Sequence, residues 1–170
     1  MTPQHARVIA DFLIADLEGE VATTTRVLDA VPADHLDYAP DAKSKNALDL
    51  IRHIAVIDPW FVNCIADGAF GPSGPENAES GIMTPADGAA KYKEGLTAAL
   101  ARVRALPDEK LAEEIDFFGM MKMAAVATLA LMIKHSVHHR GQLSAYLRAM
   151  GGKVPGIYGT SGDSEPAAAA

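Results

Sequence analysis

Residues 121–150 read MKMAAVATLALMIKHSVHHRGQLSAYLRAM, and the fold turns on how they are read. Alanine, leucine and methionine dominate the first half; all three are strong helix formers. Gly151-Gly152 follows directly, a good helix stop. The stretch predicts one helix from about Met121 to Met150, some 30 residues and about 45 Å long. Its longest uncharged run lies between Lys122 and Lys134, well short of the roughly 20 apolar residues that cross a bilayer.

Working outward, three more helices of similar length are expected. Pro3 to about Leu28 carries Val8, Ile9, Phe12, Leu13, Leu17, Val21, Val27 and Leu28 at three- and four-residue steps. Pro3 suits a first helical turn, and Pro32 ends the run. Asn46 or Ser44 caps a second helix to about Ala66, with Leu50, His53, Ile57 and Trp60 on its core face. Pro59 lies inside it, so a kink or break is expected there. Residues 67–83 are rich in Gly and Pro and form a long loop, a candidate gate. Thr84-Pro85 opens a third helix to about Leu106. Leu111–Ile115 suits a turn of helix, and Phe117-Phe118-Gly119 an apolar loop over the core. Four long helices and no strand-rich segment give an all-α four-helix bundle, a single domain over 1–159. Residues 160–170 are low-complexity and read as a disordered tail.

Composition narrows the function. The chain has 170 residues, 49% hydrophobic and 22% charged, as an ordinary globular protein has. Net charge is −7 and no dense Lys/Arg cluster occurs, which argues against nucleic acid as a partner. The lone Cys64 excludes an internal disulfide framework and a Cys-rich zinc site. Without a signal peptide or membrane span, a cytoplasmic location is expected.

The chemistry lies in the histidines. His135 and His139 are four apart, so on a helix both rings leave one face one turn apart, the spacing by which two helical histidines grip one metal ion. Thr128, Leu131, Met132, Gln142 and Tyr146 lie within about 40° of His135, whereas Lys134, Arg140, Ser144 and Arg148 lie about 100° to 180° away. His138 sits at the boundary. On the second helix, His53 shares its face with Ile57 and Trp60, while Arg52 and Asp58 point away. His53, His135 and His139 could thus supply three nitrogens at about 2.0–2.1 Å, with open positions left for water or substrate. The plainer alternative is three hydrogen-bonded core histidines. Asp49, one turn before His53, is a candidate base or fourth ligand, or a carboxylate placed at a helix start by the dipole. Gln142 and Tyr146 either line the pocket or pack, and Cys64 reads as a small buried hydrophobe.

The run His135-Ser136-Val137-His138-His139-Arg140-Gly141-Gln142-Leu143, continued by Tyr146-Leu147-Arg148 and Gly151, resembles the signature of the DinB-like family. Leu50-Ile51-Arg52-His53-Ile54-Ala55 is similar to its second-helix motif, Leu36-Asp37-Tyr38-Ala39-Pro40 to its linker, and residues 152–159 to its closing segment. The resemblance implies an up-down-down-up bundle, often a homodimer, with a divalent metal, nickel or zinc, on His53, His135 and His139. It also implies a small-molecule substrate, and in some relatives transfer of a low-molecular-weight thiol. The expected function is a metal-dependent thiol S-transferase acting on small electrophiles. The alternatives are a metal-dependent hydrolase and a non-catalytic, metal-stabilised stress-response bundle.

Overall fold

The structure, a computed structural model, describes residues 1–71, 74–75 and 80–164. Its elements are α1 (Pro3–Asp29), α2 (Ala47–Asp67), α3 (Pro85–Arg104), α4 (Asp108–Ala112), β1 (Glu114–Phe117), β2 (Met121–Ala124) and α5 (Ala125–Ala149). The helix starts are built by local chemistry. Thr2 caps α1 by accepting from His5 N, with Pro3 in the first turn. Asn46 Oδ1 accepts from Asp49 N at 2.8 Å at the start of α2. Thr84 and Asp87 form a reciprocal capping box on α3.

Side-chain pairs fix the directions of the rods. Ile51 meets Gly88 and Pro59 meets Gly95, so α2 and α3 run parallel. Arg7 reaches Asp108 just past α3, and Glu18 pairs with Arg104, so α1 opposes α3. His53 faces His139 and Asp58 faces His135, so α2 opposes α5. The bundle therefore runs up-down-down-up. Among the four long helices, α1 and α2 each pack mainly against α3 and α5, which sets the two on a diagonal.

The apolar seams of α2 and α5 show where the interior lies. On α2 the buried line is Ala47, Ile51, Ile54, Asp58, Val62 and Ile65; on α5 it is Leu129, Met132, Ser136, Arg140, Leu143 and Leu147. His53, Ile57 and Trp60 lie beside the first seam, and His135 and His139 beside the second, all half-buried. This corrects the expected core face. It also corrects Asp58 and Arg140, expected to point outward: they are 0% and 1% exposed. Each helix packs against two others, so its interior arc is wider than one histidine stripe.

Pro59 does not break α2, which continues through it. The buried proline ring sits where α3 carries Gly95; a Cβ there would lie 3.1 Å from the ring. The last long helix starts at Ala125 rather than Met121, because residues 121–124 pair antiparallel with Glu114–Phe117 as a hairpin. No side chain caps α5; Ala125 N donates instead to Glu113 O at 2.9 Å. Within the stretch expected to be a disordered tail, 161–164 form a turn held to the end of α5. Asp163 accepts from Val154 N at 2.8 Å and pairs with Arg148 at 2.8 Å. Residues 165–170 of that stretch lie outside the described residues.

Candidate metal centre

His53 comes from the second turn of α2, and His135 and His139 from successive turns of α5. Antiparallel packing brings the two helix edges together. His53 Nε2 lies 3.2 Å from His135 Nε2 and 3.1 Å from His139 Nε2. Among the described residues, these three are the group of potential ligands whose donor atoms all fall within 4.8 Å of one another. Three nitrogens held by one tetrahedral ion at about 2.1 Å sit about 3.4 Å apart, so the observed spacing fits a shared ion.

The other ring nitrogens set the tautomers. His135 Nδ1 lies 2.9 Å from Asp58 Oδ1, and His139 Nδ1 lies 2.7 Å from Gln142 Oε1. Both oxygens accept, so each Nδ1 carries the proton and donates, and each Nε2 keeps its lone pair. Two bare lone pairs thus face His53 Nε2, whose proton could satisfy one of them at a time. A cation satisfies all three, and the donor set fits one. Burial first, then the neighbouring His139, His135 and Lys45, pushes the His53 imidazole down to about 3. His139 is also lowered, chiefly by burial and against the bond to Gln142. Both are ready as neutral ligands at pH 7.

Asp58 is the residue that sequence reasoning missed. A wheel centred on His53 placed it on the far side. The usable signal was a carboxylate in register with Ile51, Ile54, Val62 and Ile65, where a charge has no place without a partner. Gln142 is exposed and bonds His139, so it serves the site from the rim. Asp49 is not brought into the histidine cluster; its carboxylate pairs with Arg52 at 3.2 Å. His138 is exposed and meets the His139 ring edge-on, with ring centroids 4.8 Å apart. Tyr146 is buried and donates to Lys45 O at 3.1 Å. Cys64 is buried, and burial pushes its thiol pKa up.

An aromatic wall rises on the His135 side. Phe61 lies 6.3 Å from the His135 ring, Phe70 4.9 Å from Phe61, and Phe117 5.0 Å from Phe70. Phe118, at the hairpin tip, stacks on Trp60 at 6.3 Å. Phe118 adopts φ of 56°, a left-handed conformation that costs a bulky residue roughly 1–2 kcal/mol. Gly119 follows at φ 72°, with its N–H donating to Asp116 at 2.6 Å. Of the segment expected to gate the pocket, residues 72–73 and 76–79 lie outside the described residues.

A model of the DinB family matches residues 10–166. The chain belongs to the DinB family. It is 33% identical to the uncharacterized protein YjoA of Bacillus subtilis over 132 residues, 75% of this chain and 82% of YjoA. The crystal structure of YjoA superposes with a TM-score of 0.70 at 26% identity, covering 88% of this chain and 99% of YjoA. A DinB-like protein from Bacillus cereus gives 0.72 at 23% identity over 86% of this chain and 95% of its own. YfiT of Bacillus subtilis, described as "a probable metal-dependent hydrolase with an unusual four-helix bundle topology", gives 0.67 at 19% identity over 84% and 87%. The last two share the fold of this DinB-family chain. Among its described residues, no helix is long and apolar enough to cross a membrane.

Proposed function

We propose that this DinB-family chain is a divalent-metal-dependent enzyme that transfers a low-molecular-weight thiol to a small electrophilic substrate. His53, His135 and His139 are the proposed ligands. The observation that carries the reading is the convergence of three Nε2 atoms at a half-open edge of the bundle, with two rings already turned by Asp58 and Gln142. Three imidazoles suit nickel and zinc, the ions favoured here. When bound, such an ion supplies Lewis acidity and lets a thiol lose its proton near neutral pH.

The chain's own residues do the rest. Asp58 holds the His135 ring and its tautomer, and Gln142 does the same for His139. Phe61, Phe70, Phe117 and Phe118 exclude water from one side and offer an apolar wall to the electrophile. A sulfur–carbon bond forms there as the electrophile releases its leaving group, or as its double bond takes up the proton the thiol lost. Asp49, tied to Arg52, has no part in this reading.

A second reading puts water in the place of the thiol, and the fold shared with YfiT favours it. Elemental analysis of protein purified without a histidine tag tests the common premise. About one divalent ion per chain is expected, as a three-histidine site holds, and His139→Ala should lose it. Unchanged stoichiometry in that variant overturns the ligand set. Turnover with thiols and electrophiles, beside ester and amide hydrolysis, then separates the two reactions. Stabilisation by metal with neither turnover returns the protein to a metal-stabilised bundle. Pairing of two copies belongs to the same proposal, and sedimentation of a monomer at working concentration removes it.

A further inference from the structure

We propose that the cleft between the turn at 43–45 and α5 is an anion subsite of the metal centre, holding the carboxylate of a small molecule whose reactive end reaches His139. This rests on the three-histidine reading and adds to it the charge and size of the ligand. The cleft has a volume of about 280 Å³ and is lined by Lys43, Lys45, Leu50, His139, Gln142 and Tyr146. His139 is the shared wall: its Nε2 faces the other two histidines while the ring borders the cleft.

The donors and acceptors in the lining are unbalanced. Lys43 and Lys45 are exposed and make no ion pair among the described residues. Gln142 spends its carbonyl oxygen on His139 Nδ1, which leaves the amide NH₂ to donate elsewhere. Among the described residues no carboxylate lines the cleft, on a chain with 22 acidic and 15 basic residues. The nearby acids are engaged elsewhere. Asp41 accepts from Lys43 N at 2.7 Å and Ser44 Oγ at 2.8 Å, and Asp49 pairs with Arg52.

The wall is held in place rather than draped over the surface. Tyr146 donates to Lys45 O at 3.1 Å, and Ala47 N donates to Tyr38 O at 2.9 Å. Leu50 and the Tyr146 ring give the cleft an apolar floor. Two ammonium groups and an amide donor over such a floor match a carboxylate on a short carbon chain. At about 30 Å³ per water, the volume holds roughly nine waters, enough for a small organic acid.

Either the thiol or the electrophile can carry that carboxylate, and the test distinguishes them. Metal content is measured first, so that failure of the ligand set is seen separately. Metal-loaded protein is then titrated calorimetrically with 3-mercaptopropionate, 3-mercapto-1-propanol and propionate. The same titrations are run on Lys43→Ala/Lys45→Ala, whose exposed substitutions leave the fold intact. If the thiol bears the charge, 3-mercaptopropionate binds about tenfold tighter than the alcohol, a gain that two exposed ion pairs can supply. The gain disappears in the double variant and shrinks with added salt. Propionate binding as tightly as 3-mercaptopropionate, with the same lysine dependence, keeps the subsite and assigns it to the electrophile. Equal affinities for acid and alcohol in the wild type, or acid binding indifferent to both lysines, overturn the proposal while the metal centre stands.

Discussion

His139 and Arg140 are neighbours on α5, yet they end in polar clusters of opposite kinds. Arg140 is 1% exposed and finds all its partners inside the chain: Glu20, Thr24 at 3.1 Å, and Tyr158, whose ring lies 5.2 Å from the guanidinium. Charge and hydrogen bonds close on themselves, tying α5 to α1. His139 sits half-exposed one residue away, in a cluster of three like groups that no further ligand completes among the described residues. A polar cluster that satisfies itself holds a fold together. One that points its acceptors at a common gap is waiting for something from outside.

That contrast can be broken by substitution. Arg140→Ala should cost the most, about 3–5 kcal/mol by denaturant unfolding, because Glu20 loses its partner in the interior. Arg140→Met combined with Glu20→Leu should recover much of that loss, since the charge is then removed on both sides. Asp58→Asn comes next. It keeps the shape but offers His135 a weaker acceptor, and metal affinity should fall about 10- to 100-fold in chelator competition, as when other groups that orient metal-bound histidines are changed.

Acid gives a distinct signature. The His53 imidazole titrates near 3 in the native state but near its ordinary 6.5 in the unfolded chain. Between those values the unfolded chain binds more protons, so stability falls as pH drops from 6.5 toward 3 and is insensitive to this group above 6.5. Melting of metal-free protein from pH 7.5 to 4 should show a decline of several degrees, flattened in His53→Gln. His139→Ala in the metal-free protein should do least, within about 1 kcal/mol of wild type, as is usual away from buried partners. A loss as large as that of Arg140→Ala would erase the distinction between the two clusters.

Much of the architecture was legible because the signals were local. Pro3, Asn46 and Thr84-Pro85 announce three helix starts through chemistry within one turn. The start of α5 was not legible, since residues 121–124 have helical composition and are drawn into a hairpin by β1, a contact no local window contains. The pairing of His135 with His139 was legible because i, i+4 spacing is a property of one helix. Asp58 and Arg140 were misplaced for the complementary reason. Angles on a single wheel say how far two residues diverge, not how many neighbours the helix has, and α2 and α5 each face two. The aromatic wall joins Phe61 of α2 to Phe117 of the hairpin, a meeting set by tertiary packing alone.

The parallel course of α2 and α3 carries a geometric obligation. A chain leaving the end of α2 must travel back along the bundle before α3 can begin, a return of about 31 Å for 21 helical residues. About nine residues at full stretch cover that distance, and residues 68–84 supply roughly twice as many. Part of that length is spent on Phe70, packed against Phe61, and on Ile82, buried in the core. Trimming a few positions there should leave every helix in register, whereas cutting below the minimum would force a different threading of the same rods.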